Sequence, residues 1–485
     1  MLSEASMLDA AAAVRLCCRP RMMSLQRIGH SCLAALTTLA LAACSTAHID
    51  KIGSARDQRL YAELHPYYVE VCAVSELKKK PGFGIEISSG MGGHSIIYLN
   101  GVCRDRRAGY PVIDFCDPET PPDERGVGLS DNAHFKNAEW VAVPGRDFLF
   151  HGTLKPGERL TRSVYLATQA RAKALGLYDG IRFHRDVYDD RPKDMSRRDF
   201  KYEISVATDY AISFGRDRYC ARVPVDHDQM AAVIRFLNGL NAPYREGTKN
   251  FDWNVFNNNC SHVSHNALAS ADIWNRWPTG EFAPFAAFDF PVPKNEFVDV
   301  MRRTNDMPIN DIDAIYDDLA ARAALLHDDS LPTGPGALAE AEPAAQQNDL
   351  YDTDLRLIFY DDPIFGSYSP RFDRIFSEPR YTDLEANLQH FAALYRRIEQ
   401  QRQPLAAFVA RHHPSNGTER QQLTRFYDRY YRYMARSAAL VSAQRAVLAR
   451  AEPTAAPELS ARGEESGSAA SAARRSAEPS GVPGS

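Results

Sequence analysis

Cys260 follows three asparagines, in Asn257-Asn258-Asn259-Cys260-Ser261-His262-Val263-Ser264-His265-Asn266-Ala267-Leu268. Asparagine forms helix poorly but caps it well, because its amide oxygen accepts from the free N–H groups of the first turn. The residues after Cys260 read as a short helix, so the thiol falls in its first turn. Aligned peptide dipoles and unpaired N–H donors there favour thiolate over thiol, as nucleophilic catalysis requires. Upstream, Gly90-Met91-Gly92-Gly93-His94-Ser95-Ile96-Ile97-Tyr98-Leu99-Asn100-Gly101 reads as a glycine-rich loop feeding a strand that ends in an Asn-Gly turn. His94 at that strand start could take the proton of a thiol and later protonate a leaving group.

The pattern Gly-His-x-x-x-Tyr-Leu on a strand, with Asn-Cys on a later helix, resembles the circularly permuted papain-like cysteine hydrolases. These include the lecithin–retinol acyltransferase-like proteins and permuted relatives of NlpC-type cell-wall peptidases. The resemblance covers roughly residues 70–275 and rests on the order histidine strand, then cysteine helix. It implies an α+β fold: a papain-like permuted core with an antiparallel sheet packed on the cysteine helix. It also implies Cys260 as nucleophile and His94 as general base and acid. A polar residue on the next strand would orient the imidazole. Asp114, in Tyr110-Pro111-Val112-Ile113-Asp114-Phe115-Cys116, is that candidate, and His134 is the alternative. The long interval from His94 to Cys260 implies insertions.

A basic stretch, Ser24 to His30, precedes an apolar run from Leu33 to Ala43, the layout of a secretory signal. It ends in Leu41-Ala42-Ala43-Cys44-Ser45, which resembles the lipobox of bacterial lipoproteins. Residues 1–43 are therefore expected to be leader and signal peptide, with the start at Met22 or Met23. Cys44 would be the lipidated N-terminus, and Ser45 would sort the chain to the outer membrane, facing the periplasm. In that oxidising compartment disulfides form. Of nine cysteines, Cys17, Cys18 and Cys32 lie in the leader and Cys44 carries lipid. Five remain, an odd number, so one free thiol is expected: Cys260. Cys103 with Cys116 is the preferred pair among three possible pairings of the other four.

A net charge of −5 with mixed signs argues against a nucleic-acid partner. No cofactor and no metal are expected: His262 and His265 lie three apart without a further pair of ligands, and Gly90–Gly93 lacks the lysine of a phosphate loop. The envelope then supplies the partners, the outer membrane through Cys44 and peptidoglycan peptides or lipids as substrate. Peptide amide bonds come first by location, lipid acyl chemistry second. The alternative is a non-catalytic scaffold that holds a partner through its C-terminal helices.

Residues 44–300 are expected to form the α+β domain, and 301–451 a helical region with a linker at about 333–348. The tail 452–485 should be disordered. Within the first part, 45–75 reads as entry helix and connector, while 140–145, 148–152, 202–208 and 219–225 read as strands. Helix is expected within 160–174, and another after the cap Asp226, where Met230, Val233, Ile234 and Leu237 recur at helical spacing. Leu384, Leu388, Phe391, Leu394, Tyr395 and Ile398 form one stripe. Leu423, Phe426, Tyr427, Tyr430, Tyr431 and Met434 form another beyond the breaker Pro414-Ser415-Asn416-Gly417, which predicts an antiparallel hairpin.

Overall fold

The protein is seen as a computed structural model that describes residues 55–85, 93–254, 258–274, 276–277, 292–353, 359 and 367–451, with the backbone of 44–45 and 357–358. The expected signal segment, the side chain of Cys44 and the expected disordered tail lie outside the described residues. No helix among the described residues is long and apolar enough to cross a membrane.

The chain folds as a mixed α and β protein. Besides a two-residue antiparallel pairing of Cys44–Ser45 with Leu357–Ile358, the strands among the described residues are β1 (Tyr68–Val74), β2 (His94–Asn100), β3 (Val102–Arg104), β4 (Ile113–Phe115), β5 (Val127–Asp131), β6 (Trp140–Pro144), β7 (Arg218–Pro224) and β8 (Leu338–Glu342). Six of these form one sheet in the order β6-β5-β2-β1-β7-β8, antiparallel throughout, while β3 and β4 make a separate ribbon. The helices are α1 (Ala55–Leu64), α2 (Arg146–His151), α3 (Arg162–Ala174), α4 (Arg197–Ser205), α5 (His227–Arg245), α6 (Cys260–Ser270), α7 (Pro293–Asp306), α8 (Ile312–Asp317), α9 (Leu319–His327), α10 (Ser369–Ser377), α11 (Leu384–Gln400), α12 (Leu405–Arg411) and α13 (Gly417–Ala451).

All seven residues of β1 are buried, as befits a central strand covered on both faces. The period-two alternation divides them. Tyr68, Cys72 and Val74 join a core with Ile96, Tyr98, Val141 and Val143 under α2 and α3. Val69, Val71 and Ala73 join the other core, where α5 contributes Met230, Val233 and Leu237, α6 contributes Val263, Ala267 and Leu268, and α7 contributes Phe297, Val298 and Met301. The cysteine helix thus packs on the sheet. Asp226 closes a capping box with Gln229 at the head of α5, as its spacing predicts.

Four expectations fail for identifiable reasons. Residues 68–74, read as connector, form the central strand; a charged Glu70 breaks the apolar run, and its charge is met by arginines brought in from elsewhere. Phe148–Phe150 are helical in α2, because the turn before them leads into a helix start rather than a hairpin. Tyr202–Ser205 end α4, where the side chain of Ser196 caps the first turn. The expected linker at 333–348 contains β8, the sheet edge, and α7 packs on β1 and β7 across the expected boundary at 300. Ala and Glu are weak strand formers, so only pairing with β7 makes β8 a strand.

The C-terminal stripes pair as expected. Leu388, Phe391, Tyr395 and Ile398 of α11 pack against Leu423, Phe426, Tyr430 and Met434 of α13, with α12 inserted in the connection. The tyrosines of α13 are spent inside this cluster, while Arg425, Arg432 and Arg436 are exposed. Cys103 pairs with Cys116 across the ribbon, Cys72 pairs with Cys220 between β1 and β7, and Cys260 remains free.

Candidate active site

Antiparallel pairing gathers alternate strand ends at one side of the sheet. Val74 at the end of β1 faces His94 at the start of β2 and Arg218 at the start of β7, and Ser130 near the end of β5 faces Ile96. Arg216 therefore enters the sheet beside the ends of β1 and β5 and the start of β2. Gly93, just before His94, has φ +72°, and a Cβ there would stand 2.2 Å from the Val74 carbonyl oxygen. Only glycine lets the incoming loop press so close to β1.

The first turn of α6 meets this sheet end. Asn259 caps it, accepting from the N–H groups of Ser261 and His262 at 2.9 and 3.3 Å. The Ser95 N–H donates to Cys260 Sγ at 3.4 Å. Ser95 and Ser264 link their hydroxyls at 2.7 Å, and Ser264 Oγ also donates to the Cys260 carbonyl, pinning the helix start to β2. The helix start alone does not make a thiolate here. Burial pushes the Cys260 thiol up to about 12, Asp131 adds to this, and the N–H groups of Ser95 and Ser261 with Arg216 offset only part. The expected low thiol pKa is thus replaced by a neutral resting thiol.

His94 is likewise neutral. Burial, reinforced by Arg216, lowers its imidazole to about 3. Its Nε2 lies 3.0 Å from Ser130 Oγ, which lies 3.2 Å from Asp209 Oδ1. Asn132 and Tyr178 also donate to Asp209, at 2.9 and 2.8 Å. Burial raises Asp209 to about 6 despite these bonds. A hydroxyl has one proton; with Ser130 donating to the carboxylate, it accepts from His94 Nε2–H, leaving Nδ1 as the basic nitrogen. The Asp209 turn is strained, with Ala207 and Ala211 left-handed at φ +63° and +54°. That conformation costs an L-residue about 1–2 kcal/mol.

Cys260 and His94 line one cavity of about 560 Å³. Asp131, Asn132, Arg216 and Thr208 add polar groups, and Leu77, Ile85, Val187, Phe200, Ile204 and Trp253 form an apolar wall. No hydrogen bond joins Cys260 to His94 among the described residues. Asp114 is not brought to the site: it is exposed in β4 and accepts from its neighbour Phe115 N–H. Strands that follow the His94 strand in sequence need not be its sheet neighbours; here β3 and β4 fold away as a ribbon, and β5 takes the place beside β2. His134 does line the cavity, with its imidazole lowered by burial and Nδ1 unpartnered. His262 and His265 pack among Trp274 and Trp277, and His265 meets Glu296 at 3.0 Å.

Ser130, Asp131, Asp209 and Arg216 escaped sequence reasoning. Their signal was faint: charged residues at strand ends, in Ser130-Asp131 and Gly215-Arg216-Asp217, look like ordinary solvated turns. Compared with family models, with curated proteins and with solved structures, the chain matches none.

Proposed function

We propose that this is a cell-envelope lipoprotein, anchored in the outer membrane through Cys44, that performs cysteine-dependent acyl chemistry in a permuted papain-like arrangement. One observation carries the reading: the unbridged cysteine, at a capped helix start, shares a cavity with a histidine whose ring is oriented by a buried hydroxyl and carboxylate. From the neutral pair, His94 Nδ1 accepts the thiol proton as Sγ attacks a carbonyl carbon. The Cys260 backbone N–H, which the Asn259 cap leaves untaken, steadies the oxyanion, and His94 returns the proton to the leaving amine or alkoxide. A thioester on Cys260 remains. Water hydrolyses it, or an amine or alcohol takes the acyl group.

The substrate reading shifts with the cavity. Peptidoglycan peptides come first by location, but the wall of Leu77, Ile85, Val187, Phe200 and Ile204 favours an aliphatic acyl group over a polar stem peptide. The test is trapping. Incubated with p-nitrophenyl acetate, octanoate and palmitate, the protein should release a burst of nitrophenol and gain the matching acyl mass on Cys260. His94→Ala should slow adduct formation by about 10²–10⁴-fold. Absence of an acyl adduct from every ester and from a disaccharide stem peptide would end the hydrolase reading.

A further inference from the structure

We propose that the cavity beside Cys260 holds an anionic group of the substrate, a carboxylate or a phosphate, on the guanidinium of Arg216. The inference rests on the acyl-transfer reading for the word substrate, but not for the site itself. Arg216 is 1 % exposed and lines the cavity. Its Nη1 donates to the Ser75 carbonyl at 2.8 Å, its Nε has no partner, and it makes no ion pair among the described residues. A second cation stands behind the wall. Lys294 is fully buried, its Nζ has no partner, and a Cβ on Gly93 would come within 3.1 Å of it. Gly93, which lines the cavity, is thus the neighbour of that ammonium.

Burial lowers both cations, Arg216 to about 10 and Lys294 to about 8, yet both keep charge at neutral pH. A buried charge without a counter-ion is costly, and proteins keep one where something completes it. Candidates within the site do not. The Cys260 thiol is neutral at rest, and Asp131, 5 % exposed, has both oxygens unpartnered and its carboxyl pushed well above the ordinary range by burial beside Glu139 and Asp209. Asp186 and Asp190, the other carboxylates of the lining, are exposed to water at its rim. An anion arriving with the substrate would complete Arg216.

The test uses Cys260 as its own reporter, read by peptide mass spectrometry in the full chain. Iodoacetate and iodoacetamide alkylate the same sulfur but differ in charge. Relative to the chain in urea, the folded protein should raise the ratio of iodoacetate to iodoacetamide rates at least tenfold. Millimolar acetate or inorganic phosphate should slow labelling by iodoacetamide, and the better protector identifies carboxylate or phosphate as the ligand. Arg216→Gln should slow iodoacetate at least tenfold more than iodoacetamide. A ratio equal to that in urea, no protection by either anion, no labelling by iodoacetate, or equal slowing of both reagents in Arg216→Gln would each overturn the proposal. The ratio and the protection need no variant, so a misfolded Arg216→Gln leaves the test intact. Labelling also requires no acyl chemistry, so its failure is separate from failure of the ester trapping.

Discussion

One sheet carries two buried groups of charges, and they are handled in opposite ways. Under α2, Glu70, Glu340 and Glu342 meet Arg146, Arg218, Arg222 and His151. Arg146 forks onto Glu70 at 2.9 Å by both Nε and Nη2, Arg218 reaches Glu342, and Arg222 reaches Glu340. Arg146 and Arg218 also lie over the Phe150 ring. At the sheet end, by contrast, Arg216 and Lys294 are equally buried and make no ion pair among the described residues. Folding alone explains the first group, since each carboxylate ties strands that are distant in sequence. It does not explain the second, where charge is kept in spite of its cost, beside a free cysteine. Unmatched charge thus separates the site from the scaffold.

The largest expected effect breaks the paired group. Glu70→Gln would leave Arg146 and Arg222 without their shared carboxylate and should destabilise the protein by about 3–5 kcal/mol, read as a lower urea midpoint. Arg216→Met should do the opposite, leaving stability unchanged or raising it by about 1 kcal/mol, because an uncompensated charge is removed. If Arg216→Met were as damaging as Glu70→Gln, the contrast between the two regions would collapse.

A smaller effect should come from Ser130→Ala. It removes only the hydroxyl between His94 and Asp209, so the ring loses its preferred tautomer while the core keeps its volume. Acylation of Cys260 should slow by about 10–100-fold, as for other groups that orient a working histidine. The fold should lose about 1 kcal/mol. Acylation at the native rate would show that Ser130 and Asp209 belong to the scaffold and that His94 needs no orientation.

The two regions also differ in how visible they are in the sequence. Cys260, its asparagine cap and the strand at His94 are local patterns, and each takes the conformation its spacing predicts; so do the capping box at Asp226 and the apolar stripes of α11 and α13. Disulfide parity singles out Cys260 because bridging is arithmetic. What stays hidden is long-range. β8 is strand only because β7 lies beside it, and Glu70 sits in a central strand only because Arg146 and Arg222 arrive from residues 76 and 152 positions away. Asp114 misleads for the same reason: strand neighbours in sequence are not always neighbours in the sheet.

The last expected effect is a difference of sign with pH. In the paired group, burial would raise the Glu342 carboxyl, but Arg218 and His151 hold it at about 2. Its contribution is therefore complete above the ordinary carboxylate range and lost as pH falls from about 4.5 towards 2. Around the cavity, burial raises Asp209 to about 6 and Glu139 to about 7. Folded, these keep protons that the unfolded chain has released, so they add stability as pH falls through 7 to about 4.5. His94, lowered to about 3, works against them, because the unfolded chain binds a proton below about 6.5 that the folded one refuses. His94 offsets part of what the two carboxyls add, so native stability rises only gently as pH falls from 6.5 to 4.5. His94→Ala removes the opposing member and should steepen that rise by up to about 1 kcal/mol per pH unit. Glu342→Gln should lower stability above pH 4.5 and flatten the fall below it, because the variant lacks the contribution that acid would otherwise remove. Parallel curves for native protein and His94→Ala would mean that the imidazole titrates freely and is not the buried, neutral base on which the chemistry depends.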